Sequence, residues 1–498
     1  MRYTALSPTA GAANAAKGCA LMIAAAVALG LPSANAGVTV DFGRETGRIR
    51  PLHGVNNSPV RVGKGDTQHE FAAAGIPYMR THDTAGAYGG AHYVDIPNLF
   101  PDFDADENDA ASYDFALTDA YLKPVVEAGT AIFFRLGTTI ENNWRIKAYN
   151  IFPPKDFGKW ARICEHVVRH YNEGWAGGFK WGIRYWEIWG EPENPALWQG
   201  TKEQYFELYR VAANHLKRTF PSIKVGGYGG CGFYAIDDKS EQMRRNAFYQ
   251  SFVTWFEDFC RFVTDEKTKA PLDFFSWHLY LYGHTRPDRI AVHADYVRRT
   301  LDAAGLAETE SVFDEWNWNP GRDWVRVKGH EGAAVMAGAF AVMQKSPIDL
   351  AMYYDALPTR GHGGLFFFPN IEPTPTYYSF MAFNELFGLG TAVACESSDD
   401  GVYAVAAKGG GDAAILLANI TGSDRSLDMT IGGFDGKFLR YRIAKGDREL
   451  AANGEWKAGE RLAVPRNSVV LLTTRKVDVA AARSKSAKRV NINGLSTE

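Results

Sequence analysis

The segment Tyr185–Asn194, which reads YWEIWGEPEN, is the most informative stretch of this chain. Residues 185–189 predict a β-strand in which aromatic side chains alternate. Glu191 follows the strand, and Pro192 comes next, which stops a ladder of backbone hydrogen bonds and fixes a turn. We expect burial beside apolar walls to raise the pKa of Glu191 and to suit it to donate a proton.

Short apolar runs of the same kind lie on both sides of this segment between residues 51 and 387. Helical patterns separate them, for example at 157–171, 202–219 and 289–304. Strands that alternate with helices predict an α/β protein, here a (β/α)8 TIM barrel. An open doubly wound sheet is disfavoured because no glycine-rich phosphate fingerprint follows the first strand. The predicted barrel strands are 52–55, 78–80, 131–136, 185–189, 224–227, 274–278, 311–315 and 350–354.

The pattern changes from about residue 390, where short strands alternate with Gly, Asp and Asn turns. We predict a catalytic barrel over 37–388 and a C-terminal antiparallel β-sandwich over 389–475. The strand 38–42 could belong to either domain. Residues 476–498 offer little to bury and predict a disordered tail. The sandwich strands are predicted at 402–406, 413–418, 427–431, 439–443 and 468–473.

The N-terminus has the features of an export signal. Arg2 and Lys17 precede the apolar run 20–31, which is short for a membrane span, and Ala34–Ala36 offers a small-residue cleavage site. We therefore expect residues 1–36 to be a signal peptide and the protein to be secreted or periplasmic, with no membrane contact after cleavage. An uncleaved anchor is the alternative.

The amino-acid composition bears on which classes of molecule the protein can bind. A formal net charge of −3 gives no electrostatic reason to expect nucleic acid. The 13 Trp and 23 Tyr can fill a core, and they also suit a pocket that stacks on sugar rings. The cysteines match neither a disulfide framework nor a zinc pattern, so we expect no cofactor and no metal. The sequence leaves the oligomeric state and any single disulfide open.

A second carboxylate, Glu315, ends the strand in SVFDEWNW at 311–318. Counting strands places Glu191 on the fourth and Glu315 on the seventh, which face each other across the barrel mouth, where such barrels carry their active sites. Retaining glycosidases need two carboxyl groups about 5 Å apart, one as acid/base and one as nucleophile. The pair therefore predicts double displacement at a glycosidic bond.

These segments resemble the acid/base and nucleophile motifs of clan A glycoside hydrolases. Within the clan the chain most resembles glycoside hydrolase family 39, which holds β-xylosidases and α-L-iduronidases. By layout the resemblance covers residues 38–475 and implies a β-sandwich beside the barrel. It is supported by three shorter segments, His53-Gly54, Met79-Arg80-Thr81-His82 and Phe275-Ser276-Trp277-His278-Leu279-Tyr280.

The resemblance implies roles for individual residues. Glu191 would be the acid/base and Glu315 the nucleophile. His278 and Tyr280 would hydrogen-bond the sugar and orient Glu315, and Arg80 would lie under the nucleophile and keep it ionised. The other side chains expected to bind substrate are His53, His82, Trp189 and Trp316.

Two features bear on the substrate. The clan usually has Asn before the acid/base to contact the sugar 2-hydroxyl, whereas this chain has Gly190. Either Asn194 or Asn142 replaces that donor, or the sugar presents that position differently. After the eighth strand, Arg360 lies in a glycine-rich loop that could bind a substrate carboxylate or close over the sugar. An ordinary surface loop is the alternative.

These features predict an exo-acting, β-xylosidase-like retaining O-glycoside hydrolase with a carbohydrate substrate. An α-L-iduronidase-like enzyme, or another uronide or galactoside hydrolase, is the alternative within this class. A metal-dependent hydrolase would use His53, His82, His278 and Asp355, although their spacing departs from the usual pattern. A non-catalytic carbohydrate-binding protein is suggested only by Gly190.

Overall fold

Eight parallel strands close into a barrel in the computed structural model, which describes residues 37–57, 67–82, 93–139, 151–236, 241–358, 361, 363–368 and 371–482. The predicted (β/α)8 barrel is therefore confirmed. The first strand of the chain, β1 (Gly37–Arg48), lies outside the barrel in a second sheet. The barrel strands are β2 (Gly54–Asn56), β3 (Tyr78–Arg80), β4 (Ala131–Leu136), β5 (Tyr185–Ile188), β6 (Lys224–Gly230), β7 (Phe274–Tyr282), β8 (Glu310–Asn319) and β9 (Leu350–Tyr353).

Helices cover the outside of the barrel, and their ends carry local signals. The helix at Lys202–Thr219 begins with a capping box, in which the side chains of Thr201 and Gln204 each accept a hydrogen bond from the other's backbone N–H. The described helices are α1 (Gln68–Ala73), α2 (Ile96–Leu99), α3 (Ala116–Glu127), α4 (Phe157–Asn172), α5 (Lys202–Thr219), α6 (Glu241–Arg244), α7 (Ala247–Thr264), α8 (Asp288–Ala303), α9 (Trp324–Lys328), α10 (His330–Lys345) and α11 (Pro375–Leu389). None of them is both long and apolar enough to cross a bilayer.

The second sheet contains β1 and the C-terminal strands in the order β15-β14-β17-β12-β11-β10-β1-β13-β16. Its pairs are antiparallel except for β1 with β13. The strand 38–42 thus belongs to this sheet rather than to the barrel. The C-terminal strands are β10 (Thr391–Ser397), β11 (Val402–Gly409), β12 (Asp412–Asn419), β13 (Arg425–Gly432), β14 (Lys437–Ile443), β15 (Ala451–Lys457), β16 (Leu462–Val464) and β17 (Ser468–Thr473).

This sheet curls over one of its faces. Strands β1 and β14 are five positions apart, which would be about 24 Å in a flat sheet. The rings of Phe42 on β1 and Phe438 on β14 are nevertheless only 6.3 Å apart. The curled face encloses its own apolar cluster, which includes Val40, Leu417 and Trp456. The predicted sandwich is therefore one continuous sheet folded over a core.

The sequence pattern missed three strands, β10, β15 and β16. Strand β15 lies at the edge of the sheet and buries only Trp456, so it lacks an apolar alternation. The tail expected to be disordered from residue 476 is ordered as far as it is described. Val477 is buried, and its N–H donates to the Tyr441 hydroxyl over 3.0 Å. The predicted signal segment 1–36 and residues 483–498 lie outside the described residues.

Candidate active site

The carboxyl ends of the barrel strands surround a cavity of about 320 Å³. Both catalytic candidates, Glu191 and Glu315, line it. A larger groove of about 440 Å³ lies between α8, α10 and the loop joining β10 to β11, and contains neither carboxylate. The side chains and backbone that line the catalytic cavity belong to His82, Arg135, Thr138, Gly190, Glu191, Leu197, His278, Tyr280, Glu315 and Tyr354.

The two carboxylates converge at the centre of this cavity. One oxygen of Glu191, one oxygen of Glu315 and a ring nitrogen of His278 all lie within 4.8 Å of one another. Glu191 has a φ of 48°, which is unusual for a residue with a side chain. Its N–H donates to the carbonyl oxygens of Tyr228 and Gly229, each over 3.0 Å, and these bonds hold the strained turn after β5.

Glu315 is held by three side chains that come from two other barrel strands and the segment after one of them. The Tyr280 hydroxyl donates to its Oε1. Arg80 Nη1 lies 3.4 Å and His82 Nε2 lies 3.5 Å from its Oε2. Because these contacts come from β7, from β3 and from the residue two positions after β3, they fix the orientation of the carboxylate. A nucleophile must be held in a fixed orientation toward the carbon that it attacks.

Arg80 is completely buried beneath the cavity. Its Nε lies 2.8 Å from Glu187 and 3.0 Å from Asp314, and its Nη1 donates to Asn56. Burial alone would lower the pKa of Arg80, but the charges of the surrounding carboxylates raise it overall. Burial, together with the charge of Asp314, raises the pKa of Glu187 to about 7 in spite of Arg80. The network therefore keeps a permanent positive charge under the nucleophile.

The protonation of Glu191 differs from the sequence-based expectation. Burial alone would raise its pKa, as we expected, but the hydrogen bond from His278 Nδ1 over 2.8 Å and the charge of His278 lower it to about 2. Burial would lower the pKa of His278, yet the charges of Glu315 and Asp314 raise it well above its ordinary value. The expectation of a raised Glu191 pKa is wrong, because the proton of this pair resides on His278 in the free protein.

The chain is similar in sequence to known glycoside hydrolases. A family model described as "Glycosyl hydrolases family 39" matches residues 56–300, which include Glu191 but end before Glu315. The chain is 25% identical over 294 residues to a β-xylosidase of Caldicellulosiruptor saccharolyticus, covering 54% of this chain and 55% of that protein. This chain belongs to glycoside hydrolase family 39.

Two further likenesses concern a second curated relative and a solved structure. It is 33% identical over 137 residues to a β-xylosidase of Geobacillus stearothermophilus, covering 26% of this chain and 22% of that protein. The chain thus spans about half the length of one of these two curated relatives and about a fifth of the other. A solved glucosidase structure from Croceicoccus marinus shares the fold, with a TM-score of 0.69 and 23% identity over 89% of this chain and 99% of that one.

The structure brings Arg80, His82, His278 and Tyr280 to the two carboxylates, as the family resemblance implies. His53 lies elsewhere, because it precedes β2 and so stands at the opposite end of the strand from the mouth. It is buried against Phe383 and Phe387 of α11, and its Nε2 lies 3.1 Å from the Gly75 carbonyl oxygen. Burial lowers the pKa of His53 to about 4. Its predicted role in substrate binding is wrong.

The two predicted tryptophans also lie in the core. Trp316 follows Glu315 on the same strand, so its side chain faces outward and packs on Phe340 of α10. Trp189 packs between Trp160 and Trp198, and its Nε1 donates to the Leu197 carbonyl. Neither lines the cavity. Arg360 and Asn142, which were also candidates, lie outside the described residues.

Sequence reasoning missed four residues that line the cavity, Arg135, Thr138, Leu197 and Tyr354. Arg135 carried a usable signal, since it is a charged residue inside the otherwise apolar strand β4. Tyr354 directly follows β9, and the centroid of its ring lies 5.3 Å from the centroid of the His82 ring. Both positions obey the rule that barrel sites use side chains at strand ends.

Only part of the ligand set of the metal-dependent alternative lines the cavity, namely His82 and His278. Glu191, His278 and Glu315 are close enough to share an ion. In the free protein the charges of Glu315 and Asp314 outweigh burial and raise the pKa of His278, which favours its protonated form. Arg80 already supplies positive charge to Glu315. The other two residues of this ligand set are His53, which is far from the mouth, and Asp355, which accepts a hydrogen bond from Asn57.

Proposed function

We propose that this protein is a retaining O-glycoside hydrolase that releases a terminal sugar, with a β-xyloside as the substrate. One observation carries the proposal, the placement of one oxygen from each of Glu191 and Glu315 within 4.8 Å. Retaining enzymes hold their carboxyl groups about 5–5.5 Å apart, whereas inverting enzymes leave about 6.5–9.5 Å for a water molecule. The spacing therefore supports double displacement.

In the first step, a Glu315 oxygen attacks the anomeric carbon and forms an ester, while the glycosidic oxygen takes a proton from Glu191. The proton comes from the Glu191–His278 pair and is passed across the 2.8 Å hydrogen bond that joins them. Tyr280 and Arg80 hold Glu315 for the attack. In the second step Glu191 takes a proton from water, and the resulting hydroxide opens the ester and releases the sugar with its original configuration.

The cavity supports a small neutral sugar. Its volume of about 320 Å³ is at the lower end of the range for ligand pockets, which favours a single terminal ring. Among the residues that the structure describes, the arginines at the cavity are Arg80 and Arg135, and both are already paired with carboxylates of the protein. The carboxylate of a uronate would need a positive charge, but the charges of both arginines are already balanced by these pairs. The names of both curated relatives, β-xylosidases, agree with a neutral pentose.

A panel of chromogenic glycosides, followed by proton NMR of the first-formed anomer, tests the reaction. We expect turnover of 4-nitrophenyl β-D-xyloside with β-xylose as the first product, and α-xylose would refute a retaining mechanism.

A 2-deoxy-2-fluoro xyloside with a good leaving group should label the peptide that contains Glu315. The variants Glu315→Ala and Glu191→Ala should lose turnover, whereas the exposed control Glu308→Ala should behave like the parent. Binding without turnover by the parent protein would instead support a carbohydrate-binding protein.

We also propose that the protein is exported, on the strength of the signal features in residues 1–36. A secreted or periplasmic enzyme would meet its glycans outside the cytoplasm. N-terminal sequencing of the protein from its native host should give a chain that starts near Gly37. A cytoplasmic protein with an intact N-terminus would contradict this proposal.

A further inference from the structure

Gly190 lies against the side chains of two buried arginines, Arg135 and Arg80. A Cβ at this position would lie 3.3 Å from Cδ of Arg135 and 3.4 Å from Nη2 of Arg80. Within the described part of the chain, Arg80 Nη2 and Arg135 Nη1 are buried and have no hydrogen-bond partner. Unpaired buried donors are destabilising, so their retention here calls for a ligand that satisfies them.

Arg135 is held in place by its other nitrogens. Nη2 donates to Asp95 over 2.8 Å, and Nε donates to the Thr81 carbonyl over 3.4 Å. Asp95 is anchored in turn by the N–H and hydroxyl of Thr139. Arg135 is only 1% exposed, yet it lines the catalytic cavity. Because the guanidinium is planar and rigid, these contacts also fix Nη1 and prepare it as a donor.

Glu315 and the space above Gly190 lie on the same side of the cavity. Arg80 connects the two, since its Nη1 is 3.4 Å from Glu315 and its Nη2 borders the space above Gly190. The anomeric carbon that Glu315 attacks has two ring neighbours, the ring oxygen and C2. Positive charge develops on the anomeric carbon and the ring oxygen in the transition state, so cationic groups are unfavourable beside that oxygen. The C2 side is the favourable place for them.

We propose that Arg135 donates a hydrogen bond through Nη1 to the hydroxyl group on C2 of the bound sugar, and so makes the enzyme depend on that hydroxyl. The proposal rests on the glycosidase function proposed above. A hydroxyl is favoured over a carboxylate because Asp95 already balances the charge of Arg135. The sequence offered Asn194 as the residue that supplies this donor. Its amide N–H instead donates to Glu191 over 3.2 Å.

The test compares kcat/KM for 4-nitrophenyl β-D-xyloside and its 2-deoxy counterpart, because their ratio cancels any general loss of activity. In Arg135→Gln the ratio of the hydroxylated to the deoxy substrate should fall roughly 10- to 100-fold relative to the parent. Arg135→Lys keeps a cation opposite Asp95 and should lower the ratio as well, which covers the case in which the Gln variant does not fold. Asp95→Asn is the matched control, since it disturbs the same ion pair but keeps Nη1.

The outcomes separate this inference from the function on which it rests. If the Asp95 variant slows both substrates equally and the Arg135 variants alone change the ratio, the inference stands. If the parent is active and the Arg135 variants slow both substrates equally, Arg135 is only structural and the inference is wrong. If the parent hydrolyses no glycoside of the panel, the proposed function fails and the inference fails with it.

Discussion

Replacing His278 should move the pH range in which the enzyme works. In the parent, the Glu191–His278 pair keeps its proton until the pH exceeds the ordinary histidine pKa of 6.5, because the charges of Glu315 and Asp314 outweigh the effect of burial. In His278→Gln the proton must sit on Glu191, whose ordinary pKa is 4.5. The basic limb of kcat/KM should therefore move to lower pH, because a carboxylic acid that has lost the His278 partner gives up its proton at a lower pH than the pair does.

The assay is a pH profile of kcat/KM between pH 4 and 9 with 4-nitrophenyl β-D-xyloside, read after alkaline quenching. Tyr280→Phe is the matched control, since the Tyr280 hydroxyl donates its hydrogen bond to Glu315. It should lower the rate and leave the basic limb in place. A basic limb that does not move in His278→Gln would refute the assignment of the proton to this pair.

Three further results are expected. Tyr280→Phe should reduce kcat/KM roughly 10- to 100-fold, because Glu315 loses a fixed donor, while the urea midpoint changes little; an unchanged rate would contradict this role. Arg80→Met leaves three buried carboxylates without their counter-charge and should lower the free energy of unfolding by about 3–5 kcal/mol, whereas a loss below about 1 kcal/mol would exclude such a network. His53 is neutral in the folded protein, so its contribution to stability is complete above pH 6.5 and is lost toward pH 4. In urea unfolding, the parent should lose about 3 kcal/mol more than His53→Gln over this interval, and equal losses would show that His53 does not titrate as described.

The buried charges under the cavity explain why the site can be both rigid and chemically active. Arg80 contacts Glu187 on β5 and the adjacent residues Asp314 and Glu315 on β8. Such a network leaves the nucleophile little freedom to turn, while the cavity above it stays open to a sugar. The same arrangement makes the site sensitive to the loss of any single member.

The sequence alone determined the barrel and both catalytic candidates. Strand-forming runs are local signals, and polar residues at their carboxyl ends must meet at one mouth once the strands are counted. This reasoning placed Glu191 on β5 and Glu315 on β8. It also found Arg80 and His278. Arg80 ends strand β3, and His278 lies in β7, where it pairs with Glu315 of β8.

The tertiary structure alone decided which neighbours these residues meet. A strand alternates its side chains, so Trp316 faces outward although it adjoins Glu315, and His53 stands at the wrong end of its strand. The low pKa of Glu191 depends on His278 from β7, and the side chains beside Gly190 are Arg135 from β4 and Arg80 from β3. Electrostatic and hydrogen-bond contacts act between residues far apart in sequence, and only the closed barrel brings them within reach.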